Sequence, residues 1–350
     1  HLTGKTVLIT GAAGSIGSEI ARQVSGYEYK SLVLLDQAES ALYDLQQNFK
    51  RDKLDNFEVE LADIRNQERL THLFETYDFD IILHAAAYKH VPLMENNPYE
   101  ALRVNVFGSS LLMRMAMKYG VEKFIMVSTD KAVNPTNVMG ATKRVAEIYA
   151  NCLNTQGKTK FVTTRFGNVL GSNGSVIPLF ERQIKSGGPL TVTHEEITRY
   201  FMTIPEACQL VLEAGVMGNG GEVYVFDMGE SVKIFDLAKK MIHLCGLRYP
   251  EDIDIKITGL RPGEKLYEEL LTNEENTIPT YHEKIMIAKT ENVNVDNVRA
   301  KIEALIASQK LSYVEIVKGL KSIVPEYVSN NSEYEVLDGD KGKVKKLKIS

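Results

Sequence analysis

The chain has 350 residues, 44% hydrophobic and 25% charged, enough to bury one large core or two smaller ones in contact. Its formal net charge of -5, from 46 acidic and 41 basic side chains, leaves no electrostatic footprint for nucleic acid. No apolar run reaches the roughly 18 residues of a membrane span, no signal-peptide pattern is visible, and Cys152, Cys208 and Cys245 lack the spacing of a zinc site or disulfide framework, so buried thiols in a reducing compartment are expected.

Lys5–Thr10 has the continuous apolar pattern of a buried strand. Gly11-Ala-Ala-Gly14-Ser15-Ile16-Gly17 follows, then an amphipathic segment from Ser18 to Val24. Glycine at these spacings permits a tight turn and a close approach of backbone to a pyrophosphate resting on a helix N-terminus. Gly11, Gly14, Ser15, Ile16 and Gly17 are therefore the expected cofactor loop. A second strand, Ser31–Asp36, ends in an acid 19 residues beyond Gly17. A carboxylate there binds both ribose hydroxyls and repels a 2′-phosphate. Gln37, Ala38 and Glu39 bring no cation to rescue that phosphate, so NAD is expected over NADP.

Phe57–Leu61 is a third strand, with Asp63 and Ile64 just beyond it, placed to meet the adenine. A helix over Gln67–Tyr77 leads to a fourth strand, Asp80–His84, followed by Ala85 and Ala86, small enough for a flat cofactor to lie on the backbone. Lys89 and His90 then face either a substrate or solvent. A long helix is expected over Pro98–Tyr119. It carries Asn105 among apolar neighbours, as a core amide, a brace for the active-site strand or a substrate contact.

The fifth strand, Lys123–Ser128, runs into Thr129-Asp130-Lys131. Ligands of open α/β sheets collect beyond the carboxyl ends of the strands, and a hydroxyl, a carboxylate and an amine there supply a hydrogen-bond donor, a proton donor and a proton acceptor. Asp130 and Lys131 need pKa values moved toward neutrality for that work, which burial under a substrate could supply. A helix over Met139–Gln156 carries Lys143 four residues after Met139, and a sixth strand spans Lys160–Phe166.

From Gly167 the pattern loosens into a loop to Ser175, helices over Val176–Lys185, Thr203–Val216 and Ile234–Cys245, strands over Glu222–Phe226 and Ile253–Ile257, and helices between Asn294 and Ile323. Strands alternating with helices predict a doubly wound parallel sheet of the Rossmann type with a smaller α+β substrate-binding lobe. Residues 1–167 form the expected nucleotide-binding domain, with part of the later chain returning to it. Residues 168–325 are mainly the substrate lobe, and 326–350 are a tail whose Lys341–Lys348 run is basic.

These residues together resemble the extended short-chain dehydrogenase/reductases, and more narrowly the nucleotide-sugar 4,6-dehydratases of bacterial polysaccharide and glycan synthesis that act on UDP-N-acetylglucosamine. The resemblance covers about residues 3 to 325. It rests on Gly11–Glu19, Leu35–Glu39, His84–Pro92, Ser128–Pro135, Arg165–Ser172 and Arg261–Lys265. Met139 stands where the superfamily usually has the tyrosine of Tyr-x-x-x-Lys, as in the larger, membrane-anchored members. With the abrupt start at His1, this implies a cytoplasmic catalytic region of a longer protein, touching the inner membrane only through a preceding segment.

The resemblance further implies a homo-oligomer, a UDP-N-acetylhexosamine substrate, and contacts to it from Asn168, Arg199, Arg261 and Glu264; Arg182 and His194 are weaker candidates. Asp130 is then the acid at C6 and Lys131 the base at C5. Thr129 donates to the C4 oxygen, and Lys143 holds the nicotinamide ribose. With Met139 in the tyrosine's place, the C4-hydroxyl proton leaves through a water, for which methionine makes room, or through the ribose to Lys143. A nucleotide-sugar 4-epimerase and a non-catalytic NAD-binding sensor are the competing readings.

Overall fold

The computed structural model describes residues 1–271, 277–288, 295–308 and 310–339. Six parallel strands take the apolar runs: β1 (Thr6–Thr10), β2 (Ser31–Asp36), β3 (Phe57–Leu61), β4 (Ile81–His84), β5 (Lys123–Val127) and β6 (Lys160–Arg165). Successive side chains alternate between the two faces. Leu8, Val33 and Ile82 therefore enter one core, while Val7, Ile9, Leu32 and Leu34 enter the other. Helices cover both faces, which is why the inner strands β1 and β4 and strand β2 read as nearly unbroken apolar runs, whereas the edge strand β3 alternates Phe-Glu-Val-Glu-Leu.

The sheet runs β3-β2-β1-β4-β5-β6 and continues through Val223–Phe226, Ile285–Ala288 and Thr277–Pro279, the last two antiparallel. Strand order reverses between β1 and β4, the place where open α/β sheets leave a crevice. The later chain is divided between two bodies. Helix Ile204–Met217 packs on helix Ser15–Val24, and helices Val295–Ala307 and Tyr313–Ile323 pack on helix Val138–Asn154. The smaller body closes a separate core around Phe180, Leu190, Val192, Ile234, Ile242 and Ile255.

Three local features differ from the sequence expectation. The long helix after Pro98 changes pitch, with a π-helical stretch over Leu102–Gly108 between the α-helical turns Pro98–Ala101 and Ser109–Lys118. Cys152 and Cys208 are buried as expected, but Cys245 is exposed. It follows the last turn of Ile234–Leu244, outside the small core. Finally, residues 326–339 are packed against the body of the protein. Val328 N–H donates to Pro135 O and Asn330 N–H to Thr136 O, both at 3.2 Å, while Gly263 N–H donates to Asn330 O at 2.7 Å. Ser332 Oγ donates to Glu95 Oε2 at 2.7 Å, and Glu95 Oε1 accepts Val138 N–H at 2.5 Å. This strap joins the loop before helix Val138–Asn154 to the loop around Gly263. The basic run Lys341–Lys348 lies outside the described residues.

Candidate active site

The turn after β1 is fixed by contact. Gly11 has φ +69°, and a Cβ there would lie 2.6 Å from Ala86 N, so only glycine lets the loop rest on the Ala85-Ala86 backbone. Helix Ser15–Val24 begins at Gly14 with no side-chain cap, leaving its first N–H groups for a ligand. Asp36 closes the rim: Oδ2 accepts Ala13 N–H at 3.0 Å and Oδ1 accepts Ala38 N–H at 2.9 Å. Ser15 Oγ accepts Asn173 N–H at 3.1 Å, bringing the loop after Gly167 over this turn. Asp63 is bound to Arg65, with Oδ2 2.7 Å from Nη2. Burial pushes the Asp63 carboxyl up, but Arg65 outweighs it and holds it below the usual range. Ile64 is buried behind it.

At the end of β5, Thr129 caps a single 3-10 turn over Asp130–Ala132. Asp130 is fully buried: Oδ1 accepts from Thr129 Oγ1 at 2.7 Å and from Lys131 Nζ at 3.0 Å, while Oδ2 has no partner among the described residues. Lys131 Nζ also donates to Asn168 Oδ1 at 3.1 Å. The turn lies directly on helix Val138–Asn154, because a Cβ on Gly140 would come within 2.1 Å of Lys131 O. Lys143, one turn along that helix, donates to Val127 O at 2.7 Å. Burial lowers the Lys143 ammonium to about 8. Met139 is 3% exposed, inside the larger core.

Lys131 departs from expectation. Burial pushes its ammonium down, but Asp130 and Glu268 outweigh it and hold it above its ordinary value, away from neutrality. Lys89 is exposed and shifts the other way, lowered first by partial loss of hydration among its neighbours and then by the charge of Lys131. Burial and the charges of Lys89 and Arg261 likewise lower His90, whose ring lies against Gly174. Lys89, His90, Lys131, Asn168 and Arg261 thus form one connected cluster.

On the far wall, Glu264 is held by both arginines, with Oε1 3.3 Å from Arg199 Nη2 and 3.1 Å from Arg261 Nη2. Arg199 is buried, its guanidinium also donating to Thr198 O and Lys265 O. The Arg261 side chain is 56% exposed and is the accessible fork. Arg182 sits in the last turn of helix Val176–Lys185, and His194 Nδ1 accepts Glu196 N–H at 3.0 Å. Asn105 braces the loop after β4. It is fully buried, accepting Tyr88 N–H and donating to Tyr88 O and Thr142 Oγ1. The wider π-helical turn carries this amide.

Two acids escaped the sequence reading. Glu268 is buried, 3.6 Å from Lys131 Nζ and 3.7 Å from Arg199 Nε, and its Oε2 has no partner among the described residues. Glu147 is buried behind β5, 2.7 Å from Arg165 Nη2. The only signal for Glu268 was an acid pair shortly after Arg261-Pro-Gly-Glu264, and the pair does not reveal which member points inward. His84 is buried and bonded to Thr10 Oγ1 and Ser109 Oγ; burial, with the Lys143 charge, lowers it to about 3, so it is a neutral structural histidine.

Comparison with known proteins places these features in a family. A family model described as polysaccharide biosynthesis protein matches residues 7–290. The capsular polysaccharide biosynthesis protein CapD of Staphylococcus aureus is 52% identical over 309 residues, covering 87% of this chain and 51% of CapD. The chain thus spans about half the length of this relative. A UDP-N-acetylglucosamine 4,6-dehydratase (inverting) of Campylobacter jejuni is 33% identical over 278 residues, covering 78% of this chain and 79% of that protein. A UDP-glucose 4-epimerase of Rickettsia bellii is 36% identical over 279 residues, covering 77% and 79%. Among solved structures, Pen from Bacillus thuringiensis superposes with a TM-score of 0.76 at 34% identity, covering 89% of this chain and 99% of Pen. The chain belongs to the polysaccharide biosynthesis protein family and carries the extended short-chain dehydrogenase/reductase fold.

Proposed function

We propose that this chain is an NAD-dependent 4,6-dehydratase acting on a UDP-N-acetylhexosamine. The observation that carries this reading is the ion pair of Asp130 and Lys131 at the end of β5, with one buried Asp130 oxygen unpartnered and facing Gly167. The close approach at Gly11, the uncapped N–H groups after Gly14 and the Asp36 carboxylate suit the pyrophosphate and ribose of NAD, and Asp36 disfavours a 2′-phosphate. When bound, NAD supplies a hydride acceptor for C4 of the sugar and a hydride donor for C6.

The chain's own residues handle the protons. Thr129 Oγ1, now donating to Asp130, turns to the C4 oxygen. With substrate in place Lys131 first passes its proton to Asp130. The neutral amine then takes the C5 proton, made acidic by the C4 ketone, and the Asp130 acid gives its proton to the departing C6 hydroxyl, which leaves as water and restores the ion pair. Lys143, fixed on the Val127 carbonyl and with its ammonium lowered to about 8 by burial, would hold the nicotinamide ribose, and its amine would receive the proton that the C4 hydroxyl loses. Arg261 faces the diphosphate as a bidentate fork, and Glu264 aligns it.

Incubation with UDP-N-acetylglucosamine and NAD, followed by mass spectrometry and deuterium tracing at C5 and C6, tests the reading. Loss of one water with deuterium entering C5 is the expected result. The similarity to 4-epimerases gives the second reading. Turnover of C4 alone, with the C6 hydroxyl retained, would put it first.

A further inference from the structure

Lys131 Nζ has three N–H bonds and three acceptors around it: Asp130 Oδ1 at 3.0 Å, Asn168 Oδ1 at 3.1 Å and, at ion-pair distance, Glu268 Oε1 at 3.6 Å. Two of the three are carboxylates. Glu268 reaches this place from the loop after Glu264, and the same Oε1 lies 3.7 Å from Arg199 Nε. One buried carboxylate is therefore shared between the amine at the sheet end and a guanidinium of the opposite wall. Its second oxygen is buried and has no partner among the described residues. Such an arrangement is costly unless the group works, because an unsatisfied buried acceptor forfeits its hydration.

We propose that Glu268 is a positioning residue for Lys131, the carboxylate that keeps this amine charged and aimed until a substrate occupies the cleft. The charged groups facing Lys131 come from every wall. Asp130 and Glu268 retain its proton, while Arg199 and Lys89 oppose it. Asn168 is neutral and sets direction only. Glu268 is the only one of these that touches both Lys131 and Arg199, so it ties the state of the amine to the wall that receives the nucleotide. In a dehydratase, an ammonium cannot accept the C5 proton. Glu268 thereby holds the base in check in the free enzyme, a consequence that rests on the function proposed above.

The test needs no turnover. The free protein is labelled with a trace of acetic anhydride across a pH series, and acetylation of Lys131 is read by peptide mass spectrometry against exposed Lys30. Glu268→Gln keeps the shape and removes the charge. It is expected to bring the Lys131 labelling midpoint down by about one pH unit, seen as about tenfold more labelling below the midpoint. Glu268→Asp, which retains the charge at shorter reach, is expected to fall between, and it serves if the glutamine variant does not fold. An unmoved midpoint in the folded variants overturns the proposal. With substrate, the limb of the kcat/KM–pH profile that follows Lys131 in the free enzyme should move down in parallel, and an unmoved limb also overturns it. A parent protein that fails to dehydrate any UDP-N-acetylhexosamine sinks the functional reading instead, and leaves the labelling result standing.

Discussion

Ser128 Oγ donates to Glu147 Oε1 at 2.6 Å, joining the residue before Thr129 to a carboxylate that Arg165 grips through Nε at 3.0 Å and Nη2 at 2.7 Å. Arg144 adds a third cationic contact at 3.1 Å. The end of β5 is thus anchored from behind by a buried charge network. Breaking such a pair strands a charge away from water, so Arg165→Leu is expected to cost about 3–5 kcal/mol in urea unfolding. Burial pushes the Glu147 carboxyl up, but Arg165 outweighs it and brings it from 4.5 to about 2. A depressed carboxyl stabilises the fold above its unfolded pKa and loses that contribution as pH falls toward the folded one. The parent should therefore weaken between about pH 4.5 and 2. The Glu147→Leu/Arg165→Leu pair should weaken less across that window.

Asp130→Asn leaves the fully buried position filled but removes the acid. Water loss from the sugar should fall by about 10²–10⁴-fold, the usual worth of positioned proton transfer. Thermal stability should stay near the parent's. A variant that eliminates water at the parent's rate would remove Asp130 from the mechanism.

Lys143 makes the opposite bargain with stability. Burial holds its ammonium at about 8 in the folded protein, against an ordinary 10.5. Between those values the unfolded chain binds more protons, so stability rises with pH. In Lys143→Met this dependence disappears. The stability difference, variant minus parent, should shrink as pH climbs from 8 to 10.5, while activity is lost at every pH. Urea midpoints at three pH values and a single activity assay check both statements.

Met139 lies in the larger core at 3% exposure, and Thr142 Oγ1 donates to its carbonyl. Replacing it with tyrosine adds volume and a hydroxyl to a packed site, at about 1–3 kcal/mol. Met139→Tyr is expected to melt earlier and to gain no rate. A large gain in rate would mean that the methionine is a defect and not a design.

The strands of the nucleotide-binding half were legible because most are short apolar runs closed by a glycine, an acid or a small residue, as at Gly11, Asp36, Ala85 and Ser128, while β3 shows the alternation of an edge strand. Val223–Phe226 was legible as a strand, yet its partner was not: four buried apolar residues fit a small lobe or the central sheet equally well, and only the register with β6 decides. The pitch change around Asn105 leaves no trace in periodicity over seven residues. Lys131 shows the deeper limit. Its local sequence suggested an amine eased toward neutrality by burial, but two charges hold it up, first the adjacent Asp130 and then Glu268, which the fold brings in from a distant loop. Asp130 and Lys143 were easier, since strand end and helix spacing place them without help.

The strap over residues 328–338 bears on how the protein is born. Glu95 meets Ser332 across 237 positions of chain, and through Asn330 the same stretch grips Gly263 and Glu264. A growing polypeptide leaves the ribosome with its sheet complete long before these bonds can form. The crevice would then be shaped last, so that an interrupted product carries a finished scaffold and an unfinished mouth.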